Sequence, residues 1–130
     1  MIDRPTNHWR ESVHHEREQV AAGILAPEDA FTEEFWPPTF IEAVDIALAA
    51  YENEVAGLRD PSDDDVSAVA ERVVLALNEI DAEDDLIETG ERDELCEYIE
   101  AVLTNAGIDV DALCARRGED REALTDSRLW

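Results

Sequence analysis

Apolar residues recur at three- and four-residue spacing along most of this chain, and sustained alternation at two-residue spacing is almost absent. That period predicts helices. The clearest stripe is Phe40, Ile41, Val44, Leu48, Tyr51 and Val55. Thr39 followed by Glu42 reads as a capping box at its start, and Gly57 as its end. A second stripe, Val66, Val69, Val73, Leu77 and Ile80, is broadened by Val74 and Leu75 and so predicts a central helix. Asp60 is its expected cap, with Pro61 in the first helical position. A third helix is expected from Thr89 to just before Gly107, with Leu95, Ile99, Val102, Leu103 and Ala106 facing inward. Ile87, ahead of that start, is placed to staple onto the first turn. A short helix capped by Asp109 and closed by Gly118 follows, then a last one from Asp120 to near Ser127.

The N-terminal part is less patterned. A helix capped by Thr6 or Asn7 is predicted to run to about Ala22, before Gly23. Its apolar positions, Trp9, Val13, Val20 and Ile24, are sparse. Residues 1–35 are therefore expected to be peripheral or partly mobile. Residues 24–38 read as a connection, because Pro37-Pro38 cannot sit inside a helix and pushes Trp36 and Pro37 to extended geometry. The fold class expected is all-α: a compact bundle of three long helices plus two or three shorter ones. One helical domain over 1–130 is the default at this length. The short links favour antiparallel neighbours.

Charge changes the picture most. The chain has 34 acidic and 10 basic residues, a formal net charge of −24, and every basic residue is arginine. Such a charge destabilises a compact state by self-repulsion. Three circumstances would account for it: a salt-rich environment that screens the repulsion, a genome whose codons favour Arg, Ala, Asp, Glu and Val, or a basic partner that the surface attracts. No apolar run is long enough to span a bilayer. The first residues lack a signal-peptide layout, so a cytoplasmic location is expected. Cys96 and Cys114 lie in helical apolar patterns and are expected to be free thiols packed as small hydrophobes.

Few residues suggest chemistry. His8, His14 and His15 all fall in the first helix. Glu11, His14, His15 and Glu18 could supply metal ligands, and a metal-dependent enzyme built on that helix is one alternative. A complete site would need further ligands from other helices. Asp63, Asp64 and Asp65 look like a cation-binding run but lack the alternation and glycine of such loops. Placed at a helix start, they complement its dipole. Asp81, Glu83, Asp84 and Asp85 lie at the opposite end of that helix, where the dipole disfavours negative charge. A pattern held against local stability is the better pointer to function. Trp36, amid Phe35, Pro37, Pro38 and Phe40, is either an interface anchor or a plug for the end of the core. No phosphate-binding glycine loop and no nucleophile elbow occur in the sequence. No cofactor is implied.

The stretch from Asp111 to Leu124 resembles a helix-turn-helix, with Leu113, Ala115, Arg116 and Gly118 at the turn. Arg116, Arg117, Arg121 and Arg128 cluster there. The second helix would carry Asp120, Glu122 and Asp126, and the body's charge would repel a phosphate backbone. A weak DNA-binding regulator is thus a second alternative. Finally, Ile87-Glu88-Thr89-Gly90-Glu91-Arg92-Asp93-Glu94-Leu95 and the closing Leu124 to Trp130 resemble segments of small uncharacterised acidic actinobacterial proteins, some of them immunity-protein-like. That resemblance covers about a third of the chain and implies a small acidic helical inhibitor facing a basic enzyme.

Together these readings favour a non-catalytic acidic binding protein that engages a basic protein partner. Asp81, Glu83, Asp84 and Asp85 are the first contact candidates, followed by Asp63, Asp64, Asp65 and Trp36. A homodimer is expected only if Trp36 and Trp130 present an exposed apolar face.

Overall fold

The computed structural model describes residues 3–130 and is all-α, with no strand among the described residues. Its helices are α1 (Pro5–Ala21), α2 (Thr32–Phe35), α3 (Pro38–Ala56), α4 (Asp63–Asp84), α5 (Thr89–Asn105) and α6 (Val110–Arg117). Single 3₁₀ segments occur at Pro27–Asp29 and Arg121–Thr125. No helix is long and apolar enough to cross a membrane among the described residues.

The apolar stripes turn inward except at two expected positions: Leu75, read as broadening the α4 stripe, is exposed on the outer side of that helix, and Ala106, read as inward, is exposed just past the end of α5. Phe40, Val44 and Leu48 of α3 meet Val69, Val74 and Leu77 of α4 and Leu95, Ile99 and Leu103 of α5 in one buried cluster. Each such side chain contributes about 1.5–3 kcal/mol when fully buried. α3 and α4 form an antiparallel hairpin, tied on its outside by Arg72 Nε donating to Glu54 at 3.1 Å. α5 runs alongside α3. The Tyr51 hydroxyl donates to the Ile99 carbonyl at 2.7 Å, and the Tyr98 hydroxyl to Glu52 Oε2 at 2.7 Å.

α1 is better docked than its sparse stripe implies. Trp9 and Thr6 are fully buried and Val13 nearly so. Trp9 stacks with both Trp36 and Phe40, with ring centroids at 6.1 and 5.8 Å and planes within 8° and 17° of parallel. One tryptophan buries as much apolar area as several small side chains, so spacing alone understates the attachment. Polar bonds fix the start of the helix: Arg4 donates to Glu52 at 2.6 Å and to Asp45 at 3.0 Å, and the Thr6 hydroxyl donates to Asp45 at 2.8 Å. The surface part of residues 1–35 is the connection, where Ile24, Phe31 and Phe35 are exposed.

Several helix starts differ from expectation. α1 opens on Pro5, and Thr6 bonds Asp45 instead of capping. α3 opens on Pro38 without a side-chain cap, since a proline at the first position removes one of the orphan donors. At α4 the cap is Ser62, in a reciprocal box with Asp65 at 3.0 and 3.1 Å. Asp60 instead turns the chain with a φ of 48°, and Pro61 precedes the helix. α5 does begin at Thr89 as expected, flanked by Glu88. α6 matches its reading: Asp109 Oδ1 accepts from the Ala112 amide at 3.0 Å, and Gly118 closes it with a φ of 67°. The helix expected after Asp120 is the short 3₁₀ segment.

Candidate partner-binding surface

The last turns of α4 carry the acidic cluster. The apolar stripe fades at Ile80, yet the helix continues to Asp84, with Asp85 in a left-handed conformation at φ 50° and ψ 45°. Asp81 has a structural task. Its Oδ1 accepts the Ile87 amide at 2.9 Å, which folds the link back so that Ile87 is buried. Glu83, Asp84 and Asp85 are exposed. Among the described residues none of them is ion-paired. The cations lie elsewhere. Arg4, Arg10, Arg17, Arg72, Arg116, Arg117 and Arg121 pair with other carboxylates. Arg59, Arg92 and Arg128 donate to oxygens near them in sequence. The C-terminal carbonyls of α4 add partial negative charge at the same place. The result is a concentrated acidic end with no internal counter-charge.

The other acidic run is in a different situation. Asp63 receives two bonds from Arg116, at 2.7 and 2.9 Å, and the guanidinium holds its carboxyl below the usual range. Asp64 meets Arg117 at 3.2 Å, and Asp65 belongs to the capping box. The two acidic runs lie at opposite ends of α4, their nearest members Asp65 and Asp81 about 24 Å apart along the helix at 1.5 Å per residue. They do not form one surface.

Trp36 lies nearer to the 81–85 end. It stacks on Trp9 and meets the His8 ring edge-on at 5.5 Å. In the first turn of α5, burial pushes the Glu91 carboxyl up, and the neighbouring Glu94 and Glu88 carboxylates add to the effect. Trp36 is thus half-buried and committed to the core, and Trp130 is buried. Neither supplies the exposed face that a dimer through these residues would need.

The first-helix histidines disperse. His14 pairs with Glu18 at 3.1 Å one turn on, and His8 with Glu94 at 3.2 Å. Glu11 and His15 are exposed. Among the described residues no three His, Cys, Asp or Glu converge as metal ligands would. The C-terminal arginines are likewise occupied: Arg116 and Arg117 on the first turn of α4, and Arg121 against Glu100 and Asp111 at 3.3 and 3.4 Å. A five-residue 3₁₀ segment stands where a recognition helix would be. Both cysteines are free; Cys114 is buried, which pushes its thiol up, and Cys96 is half-buried with Sγ 3.6 Å from the Thr125 hydroxyl.

Two features escaped the sequence reading. One is the polar seat of α1, where Asp45 is held below its ordinary value: burial works against this, but bonds from Thr6 and Arg4 outweigh it. Its partners lie about forty residues away, beyond any local pattern. The other is the exposed pair Phe31 and Phe35, with ring centroids 5.7 Å apart in an edge-to-face arrangement. Their i, i+4 spacing was visible, but not which way it faced. No protein family, no curated protein and no solved structure matches the chain.

Proposed function

We propose that this protein is a non-catalytic binding module whose acidic end engages a basic protein partner, in the manner of an immunity protein or inhibitor. The observation that carries the reading is the set Glu83, Asp84 and Asp85: exposed, without ion pairs among the described residues, and held at the helix end where they oppose the dipole. Self-repulsion of this kind is relieved when a partner brings arginines or lysines to the same place. Complementary charge then speeds encounter and suppresses wrong partners. Asp81 supports the link as a turn-former. Asp63 to Asp65, occupied by arginines and by a cap, are removed from the contact set.

The test is affinity capture at low and high salt with the wild type and with E83Q/D84N/D85N. The wild type is expected to retain a specific partner at low salt and lose it at high salt, and the triple variant to retain it only weakly even at low salt. Retention equal at both salt concentrations, or equal for the two proteins, would sink the reading.

A further inference from the structure

The segment between α1 and α3 presents an aromatic pair to solvent. Phe31 is 54% and Phe35 49% exposed, and Ile24 nearby in sequence is 76% exposed. Looseness of the segment does not explain this exposure, because the segment is pinned on its inner side. The Thr32 amide and hydroxyl both donate to Glu16, at 3.0 and 2.8 Å. Arg17 pairs with Glu33, and Trp36 closes the segment by stacking on Trp9. A fixed, exposed aromatic pair loses little freedom on binding, which is the condition that favours an anchor site.

The rim of the pair identifies the occupant. Glu28, Asp29 and Glu34 are exposed, and none is ion-paired among the described residues. An anionic membrane or a nucleic acid would be repelled. A second copy of this chain would bring another −24 to the contact. The segment is also continuous with the acidic end. It runs into Trp36, whose ring meets that of His8; His8 pairs with Glu94 near the start of α5 at 3.2 Å, and α5 starts four residues after Asp85.

We infer that Phe31 and Phe35 form the apolar anchor of the docking surface, and that they receive a segment of a basic protein in which arginines or lysines flank an apolar side chain. This rests on the reading of the acidic end as a partner surface. The rim carboxylates would meet the flanking cations, and a guanidinium could also lie over an exposed ring face.

The experiment titrates the full chain with two synthetic peptides of equal charge: an amphipathic leucine–lysine helix and an oligolysine. Amide shifts from the leucine–lysine peptide should concentrate on residues 24–36. Its affinity should exceed that of oligolysine by about tenfold, and F31A/F35A should remove that excess while leaving oligolysine binding unchanged. The milder F31L/F35L, which keeps apolar surface, should retain most of it. Unchanged leucine–lysine affinity in F31A/F35A, or shifts scattered over every acidic face, would overturn the anchor. Self-association of the wild type that F31A/F35A abolishes would assign the pair to a second copy and overturn it as well. If E83Q/D84N/D85N weakens both peptides while F31A/F35A weakens neither, the acidic-end reading stands and the anchor alone falls. If salt weakens neither peptide, the acidic-end reading itself falls.

Discussion

Trp9 fastens α1 to the bundle almost alone among large side chains, its ring stacked near-parallel to both Trp36 and Phe40. Removing it leaves a cavity that two neighbouring rings can collapse into only partly. Trp9→Ala should therefore destabilise the protein by about 3–5 kcal/mol in urea unfolding. Trp9→Phe, which keeps a stacked ring, should lose clearly less. Asp85 makes the opposite case. It occupies a left-handed conformation and adds charge to the wrong end of a dipole. Asparagine accepts that conformation and removes the charge, so Asp85→Asn should stabilise by about 0.3–1 kcal/mol. On the binding reading the same change weakens capture of a basic partner. A variant that gained stability and lost no binding would mark Asp85 as plain solvated surface. At this scale the sequence was half legible. Opposition between 81–85 and the dipole could be read from position alone. That Asp81 is spoken for by the Ile87 amide, and Asp63 by Arg116, could not, because the first depends on the path of the link and the second joins residues 53 apart.

Among the elements, α3 to α6 were predictable because their apolar stripes were strong, although the caps expected for α3 and α4 were not the ones used. Asp109 and Gly118 flank α6 as read, and the inward faces of α3, α4 and α5 follow the stripes named from spacing apart from Leu75 and Ala106, which are exposed. Starts were misplaced where two cap-capable residues competed. Asp60 and Ser62 both could cap α4, and the reciprocal bond with Asp65 decided for Ser62. α1 was underrated because spacing counts positions and not the area that each side chain buries. The C-terminal stretch failed for another reason: it is ordered by contacts to α4 and not by helical propensity. Asn78 grips it from both sides, its amide donating to the Ser127 carbonyl at 3.0 Å and its carbonyl accepting the Leu129 amide at 2.9 Å. Those bonds are followed by the buried Trp130. Asn78→Ala should release the strap, costing about 1–3 kcal/mol for two lost bonds. Trp130 emission should shift to the red and proteases should cut after Arg121 or Arg128, while the helical signal of α3 to α5 persists. An unchanged emission spectrum would show that Trp130 holds the strap by itself.

For the whole molecule the charge sets the response to solvent. At neutral pH the native state confines carboxylates that the unfolded chain would spread apart, and two are held in unfavourable places. Burial raises Glu91 and Glu100 above their ordinary 4.5. A raised carboxyl binds its proton more tightly in the folded state, so its contribution appears as pH falls through the folded value and is complete below 4.5. Asp45 works the other way. Its value lies below 3.8, so its contribution is present above 3.8 and is lost as pH falls through the depressed value. Relief of self-repulsion adds to the first effect. The thermal midpoint should thus rise as pH is lowered from 7 toward 5, and collapse only below 3.8, where the Asp45 seat of α1 is protonated. Salt should reproduce the first part at constant pH. The screening length falls from about 8 Å at physiological ionic strength to about 3 Å at 1 M. The midpoint at pH 7 should climb over that range, and acidification should add little once the salt is high. The slope of that climb separates the two uses of charge. If the acidity serves solvent alone, E83Q/D84N/D85N lowers the slope only by its share of the −24. If these three form the partner surface, without ion pairs among the described residues and at a dipole's negative end, their removal lowers the slope by more than that share, because three adjacent carboxylates repel one another there. A triple variant with the wild-type slope would show that the α4 end is already well solvated, and would remove the energetic reason for a basic partner to bind there.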